Sequence, residues 1–60
     1  MKPRYVIEYQ GCFYTMTHPN WGVQFTPYRE ESEIFRSYAD AKAKLDSWEG
    51  RFPGAEIVQL

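Results

Sequence analysis

Four Phe, five Tyr and two Trp stand among only 60 residues, and that aromatic load decides what the chain can become. A domain this short buries only about 60% of the surface its unfolded chain exposes, and its single core contributes roughly 3–5 kcal/mol. Each aromatic ring can hide about 150–250 Å², so rings do here what aliphatic bulk does in larger proteins. The rings fall at strand or helix spacing, which marks them first as core. With 43% hydrophobic and 25% charged residues, the composition is that of one globular domain spanning 1–60, with no disordered tail.

Tyr5, Ile7 and Tyr9 alternate with Val6 and Glu8; Cys12, Tyr14 and Met16 alternate with Phe13, Thr15 and Thr17. Gln10-Gly11 lies between them, and glycine there suits a two-residue hairpin turn with positive φ. That turn pairs Tyr9 with Cys12, Ile7 with Tyr14 and Tyr5 with Met16, all on one face, which is assigned to the core. Glu8–Phe13, Val6–Thr15 and Arg4–Thr17 then form a mixed, partly wet face. His18-Pro19-Asn20 reads as a turn. Trp21, Val23 and Phe25 alternate in a third strand that Pro27 ends.

Tyr28 to Glu33 reads as a polar loop, and Ser32 to Arg36 as a short extended piece with Ile34 or Phe35 turned inward. Ser37 with Asp40 makes a variant capping box. Tyr38, Ala41, Leu45 and Trp48 then trace one apolar stripe of a helix. Asp40–Lys44 and Lys42–Asp46 are the i,i+4 pairs on its wet side. Gly50 is the stop, Pro53-Gly54 a turn, and Ala55 to Leu60 a last strand in which Ile57 is favoured over Val58 as the inward residue. The order β-β-β-(short β)-α-β predicts an α+β, two-layer fold: a small, mostly antiparallel sheet with one helix packed on one face. The helix before the last strand allows that strand to run parallel to a neighbour, which the sequence does not identify.

Net charge is −1. Residues 1–29 carry Lys2, Arg4 and Arg29 against Glu8, while 30–60 carry four cations against seven carboxylates. The clustered positive charge that duplex DNA demands is missing. Cys12 is the single cysteine, which rules out an intrachain disulfide and a thiolate zinc site and suggests a reducing compartment. Met-Lys-Pro-Arg leads into the first strand without an apolar signal core, and no run reaches the ~20 apolar residues of a membrane span. A cytoplasmic protein is expected.

Cys12 and His18 are the only nucleophile–base combination, yet six residues of extended strand put them roughly 20 Å apart. The acidic group Glu30, Glu31, Glu33 and Glu8 lacks the glycine and alternating oxygen ligands of a cation loop. No catalytic set, metal site or cofactor is therefore expected, and the chain is expected not to be an enzyme.

Tyr5-Val6-Ile7, Phe13-Tyr14-Thr15, Trp21, Phe35 through Tyr38 to Ala41, and Glu56-Ile57-Val58 resemble the run of elements in short proteins encoded by bacteriophages and prophages. The resemblance spans most of the chain and implies the fold, a mobile-element origin and a host bacterial cytoplasm. Many such proteins have no known activity.

The residues least accounted for by the core are Phe13, Trp21, Tyr28 and Arg29, with Glu30 and Glu31 in an acidic loop beside them. Tyr, Trp and Arg dominate interface hot spots, so these six form the candidate partner-binding set, for a host or viral protein whose activity the chain would block. For Trp21 the competing reading is a lid over the end of the core. The alternative function is single-stranded nucleic-acid binding, with Phe13, Tyr28 and Trp21 stacking bases beside Lys2, Arg4 and Arg29. A monomer, or a weak homodimer through a sheet edge, fits either.

Overall fold

The computed structural model describes residues 3–60; Lys2 of the candidate basic group lies outside them. Three strands, β1 (Tyr5–Tyr9), β2 (Cys12–His18) and β3 (Gly22–Thr26), precede a 3-10 turn at Arg29–Glu31, the helix α1 (Tyr38–Asp46) and the strand β4 (Glu56–Gln59). They form one antiparallel sheet in the order β3-β2-β1-β4 with the helix on one face. This is the expected α+β arrangement.

The first hairpin forms as its turn dictates. Gln10 and Gly11 adopt φ of 50° and 79°, and Tyr9 pairs with Cys12 and Glu8 with Phe13. Beyond that point the expected ladder does not continue. Tyr14 faces Phe25 on β3 while Met16 faces Gln24, which leaves Thr15 as an extra residue in a β-bulge. Because side chains alternate with a period of two, one extra residue reverses the faces of everything after it. Met16, expected in the core, is consequently 48% exposed. Thr17 takes the helix-side face but stays exposed, and its hydroxyl shares a 2.9 Å hydrogen bond with that of Tyr14.

The bulge also parts β2 from β1, and the extended piece before the helix enters the gap. Tyr5 exchanges backbone hydrogen bonds with Phe35, not with Met16, at 2.9 and 2.8 Å. The Glu33 amide donates to Tyr14 O at 2.9 Å. Phe35 turns toward the helix-side core, so alternation sends Ile34 to the opposite face. Val6 lies on that face, paired with Val58. It was expected on a partly wet surface, but it is 0% exposed. The chain from Glu31 to Phe35 runs back past the bulge, bonded in turn to Thr15, Tyr14 and Tyr5, and Val6 and Ile7 on the two faces of β1 are both fully buried.

That extended piece sets the direction of the last strand as well. It runs antiparallel to β1, the helix returns, and β4 descends parallel to the piece and antiparallel to β1. Ile57 pairs with Ile7 and faces the core, as the sequence favours.

Ser37 caps α1, its Oγ accepting the Asp40 amide at 3.1 Å. Lys42 pairs with Asp46 at 3.3 Å in solvent. Lys44, expected to pair with Asp40, instead reaches over the Tyr14 ring, 5.8 Å from its centroid, where the negative face of the ring attracts a cation. Ala41 is buried and Leu45 half-buried. Trp48, in the turn beyond the helix, is buried against Tyr14, Phe25 and Phe52. Tyr38 is mostly exposed and meets Tyr5 edge-on at 6.0 Å. No helix among the described residues is long and apolar enough to cross a membrane.

Candidate functional site

The β2–β3 hairpin is built from an uncharged stretch: no Asp, Glu, Lys or Arg occurs between Tyr9 and Tyr28. Its tip is a three-residue loop, Pro19-Asn20-Trp21, closed by the pair His18–Gly22. Gly22 supplies the φ of 78° that such a loop requires at its end. The His18 side chain holds the loop from within. Its Nδ1 accepts the amides of Asn20 at 3.0 Å and Trp21 at 3.2 Å, so the ring carries its proton on Nε2. The indole of Trp21 stacks on that imidazole, centroids 4.2 Å apart and planes 17° from parallel. Gln24 Nε2 donates to Trp21 O at 3.3 Å.

Trp21 is nonetheless 76% exposed. It does not lid the core: its ring stacks on His18 and stands in solvent, while Trp48 and Phe52 pack at the other end of β3 on Tyr9 and Phe25. The sequence offers an exposed aromatic and a histidine three residues apart. What alternation could not show is that the histidine fixes the aromatic.

The other candidates sit elsewhere. Tyr28 is 57% exposed at the far end of β3, and about six residues of extended chain put it roughly 20 Å from Trp21. Its amide donates to Thr26 Oγ1 at 3.2 Å. Arg29, Glu30 and Glu31 form the exposed 3-10 turn that follows. The turn is tied to the bulge by a 2.7 Å hydrogen bond from Thr15 Oγ1 to Glu31 O. Arg29 and Glu30, with Arg4, Ile34 and Leu60, line a shallow depression of about 650 Å³. Phe13 is half-buried on the face away from the helix, between Glu8 and Thr26. Within one chain, then, the six candidates do not converge: Trp21 and Tyr28 lie beyond opposite ends of β3, Arg29–Glu31 turn back toward Thr15 and Arg4, and Phe13 lies between Glu8 and Thr26.

Cys12 is a half-buried free thiol beside Tyr9. His18 lies at the other end of the same strand with Nδ1 already occupied by the loop amides. Among the described residues no three His, Cys, Asp or Glu side chains converge as a bound metal would need. A second cleft of about 530 Å³ follows the helix, lined by Leu45, Trp48, Phe52 and Ala55 with Asp46 and Glu49 at its margin.

No family model, curated protein or solved structure matches the chain.

Proposed function

We propose that this chain is a small non-enzymatic binding domain that acts by protein–protein contact, with Trp21 as its anchor. The observation that carries the reading is the exposed indole held by its own hairpin. Long flexible side chains lose rotamer freedom when an interface immobilises them, at about 0.5–1.5 kcal/mol each. Trp21, stacked on His18, has already lost most of that freedom, so little of its contact energy is spent on ordering. A rigid aromatic of this kind is the typical interface hot spot.

In keeping with the resemblance to short phage proteins, the partner we propose is a host or viral protein, and blocking a host enzyme or defence complex is the concrete form of the activity. Single-strand binding fits less well. The cations that would meet phosphate, Arg4 and Arg29, border the depression with Ile34 and Leu60, whereas the hairpin tip that carries Trp21 is uncharged.

Capture from bacterial lysate, comparing the native chain with Trp21→Ala, tests this. The native chain is expected to retain a partner, and the variant to bind it at least about 30-fold more weakly, equivalent to a hot spot of 2 kcal/mol or more. Circular dichroism should be unchanged by the substitution. Undiminished capture by the variant, or no capture by either across salt conditions, overturns the reading. Tight binding of a labelled oligonucleotide that falls steeply with salt would replace it with the nucleic-acid alternative.

A further inference from the structure

We infer that β3 is a pairing edge for a second copy of this chain, which adds antiparallel about a two-fold axis at Gln24. An edge strand exposes a row of unpaired backbone amides and carbonyls, and natural sheets protect such edges with charge, proline or bulges. β4, the other edge, carries Glu56. β3 reads Gly-Val-Gln-Phe-Thr with no charge and no proline, and the bulge lies on β2. Among the described residues it pairs only with β2. Apart from Gln24's own amide on Gly22 O, no hydrogen bond among the described residues reaches its backbone from outside that ladder.

The strand is self-complementary in one register. With Gln24 opposite its own copy, Val23 faces Phe25 of the second copy on the helix side, and Gly22 faces its Thr26. Val23 and Phe25 both pack on the core of their own chain, so the pairing extends that apolar layer across the axis. The two Gln24 side chains meet on the other face, where each amide can donate to the other. No like charges are brought together, because the uncharged stretch extends beyond both ends of the strand.

The same register has a consequence for the candidate contact residues. It sets Trp21 opposite Pro27 of the second copy and brings the hairpin tip beside Tyr28 of that copy. Trp21 and Tyr28, which one chain holds at opposite ends of β3, become neighbours across the axis, twice, in an eight-stranded sheet. Each such pair takes one aromatic from either copy. This last step rests on the binding function proposed above; the pairing itself does not.

A charge swap tests it. Sedimentation or light scattering from low micromolar to millimolar concentration should show the mass of the native chain rising from 7.1 kDa toward twice that value. Gln24→Lys and Gln24→Glu each place like charges on the axis and should stay at the monomer mass. An equimolar mixture of the two should recover the doubling, because only a register with residue 24 facing itself turns two repulsions into an attraction. Both variants also lose the Gln24 bond to Trp21 O, so circular dichroism of each confirms the fold and the mixture serves as internal control. A native chain at monomer mass throughout, undiminished dimerisation of either variant, or a mixture that stays monomeric overturns the inference. The swap reads mass alone, so it can fail while Trp21 still captures a partner, and the reverse.

Discussion

Trp48→Ala is expected to remove about 3–5 kcal/mol of stability, close to all that a 60-residue core supplies. Trp48 is 4% exposed and its ring meets Tyr14 at 5.2 Å, Phe52 at 5.3 Å and Phe25 at 5.8 Å. These pairs join the helix end to both strands of the second hairpin, and truncation leaves a cavity that three rigid rings cannot collapse to fill. Urea titration followed by far-ultraviolet circular dichroism should show a variant largely unfolded without denaturant. Trp21→Ala should stay within about 0.5 kcal/mol of the native chain, as exposed substitutions do. The two tryptophans therefore divide the roles, one for folding and one for contact. A Trp48→Ala loss below about 1 kcal/mol would mean that the ring cluster is not the core.

Val6→Asp should be as damaging, for a different reason. Val6 is fully buried on the face to which Ile34 turns, and no cation lies beside it in sequence except Arg4, which is exposed. An unpaired carboxylate in such a place either stays ionised without water or takes up a proton, and both are unfavourable. A loss of about 4 kcal/mol or more is expected at neutral pH. Burial favours the neutral acid, so its pKa in the folded chain rises above the unfolded value. The penalty is therefore greatest at neutral pH and shrinks as pH falls below that raised value. Denaturation of the variant at several pH values reads both effects. A loss under about 0.5 kcal/mol would restore a wet outer face and remove the returning segment from the account.

What the sequence made legible was local. Glycine at Gln10-Gly11 set the turn and the first two pairs of the hairpin. Ser37 set the helix start, and the Ala41 spacing set its buried face. Met16 was not legible, because nothing in Tyr14-Thr15-Met16 announces an extra residue; the bulge exists through Glu33 and Glu31, sixteen or more residues away, which take up the backbone and hydroxyl groups it frees. Val6 was not legible either, since alternation predicts which face a residue occupies and not whether a distant loop will cover that face. Phe35 was half visible: the extended piece could be seen, but its insertion beside Tyr5 depends on the parting of β1 from β2.

The candidate site divides along the same line. Trp21 could be picked out as an aromatic left over from the core, but the His18 bonds that make it rigid depend on the geometry of the three-residue loop. Tyr28 and the Arg29–Glu31 turn read as a polar loop; the separation of Tyr28 from Trp21 follows from the length of β3, but the return of the turn to Thr15 does not. The uncharged run from Tyr9 to Tyr28 acquires meaning only once β3 is known to lie at an edge, where charge would normally guard it.

The central claim is that the uncharged edge of the second hairpin, and not the other edge, is the surface through which copies of this chain meet. Amide proton–nitrogen correlation spectra recorded at increasing protein concentration test it residue by residue. The account predicts concentration-dependent shifts over residues 21–28, with the amides of Glu56–Gln59 unmoved. Shifts confined to residues 56–59, or none anywhere up to millimolar concentration, would contradict it.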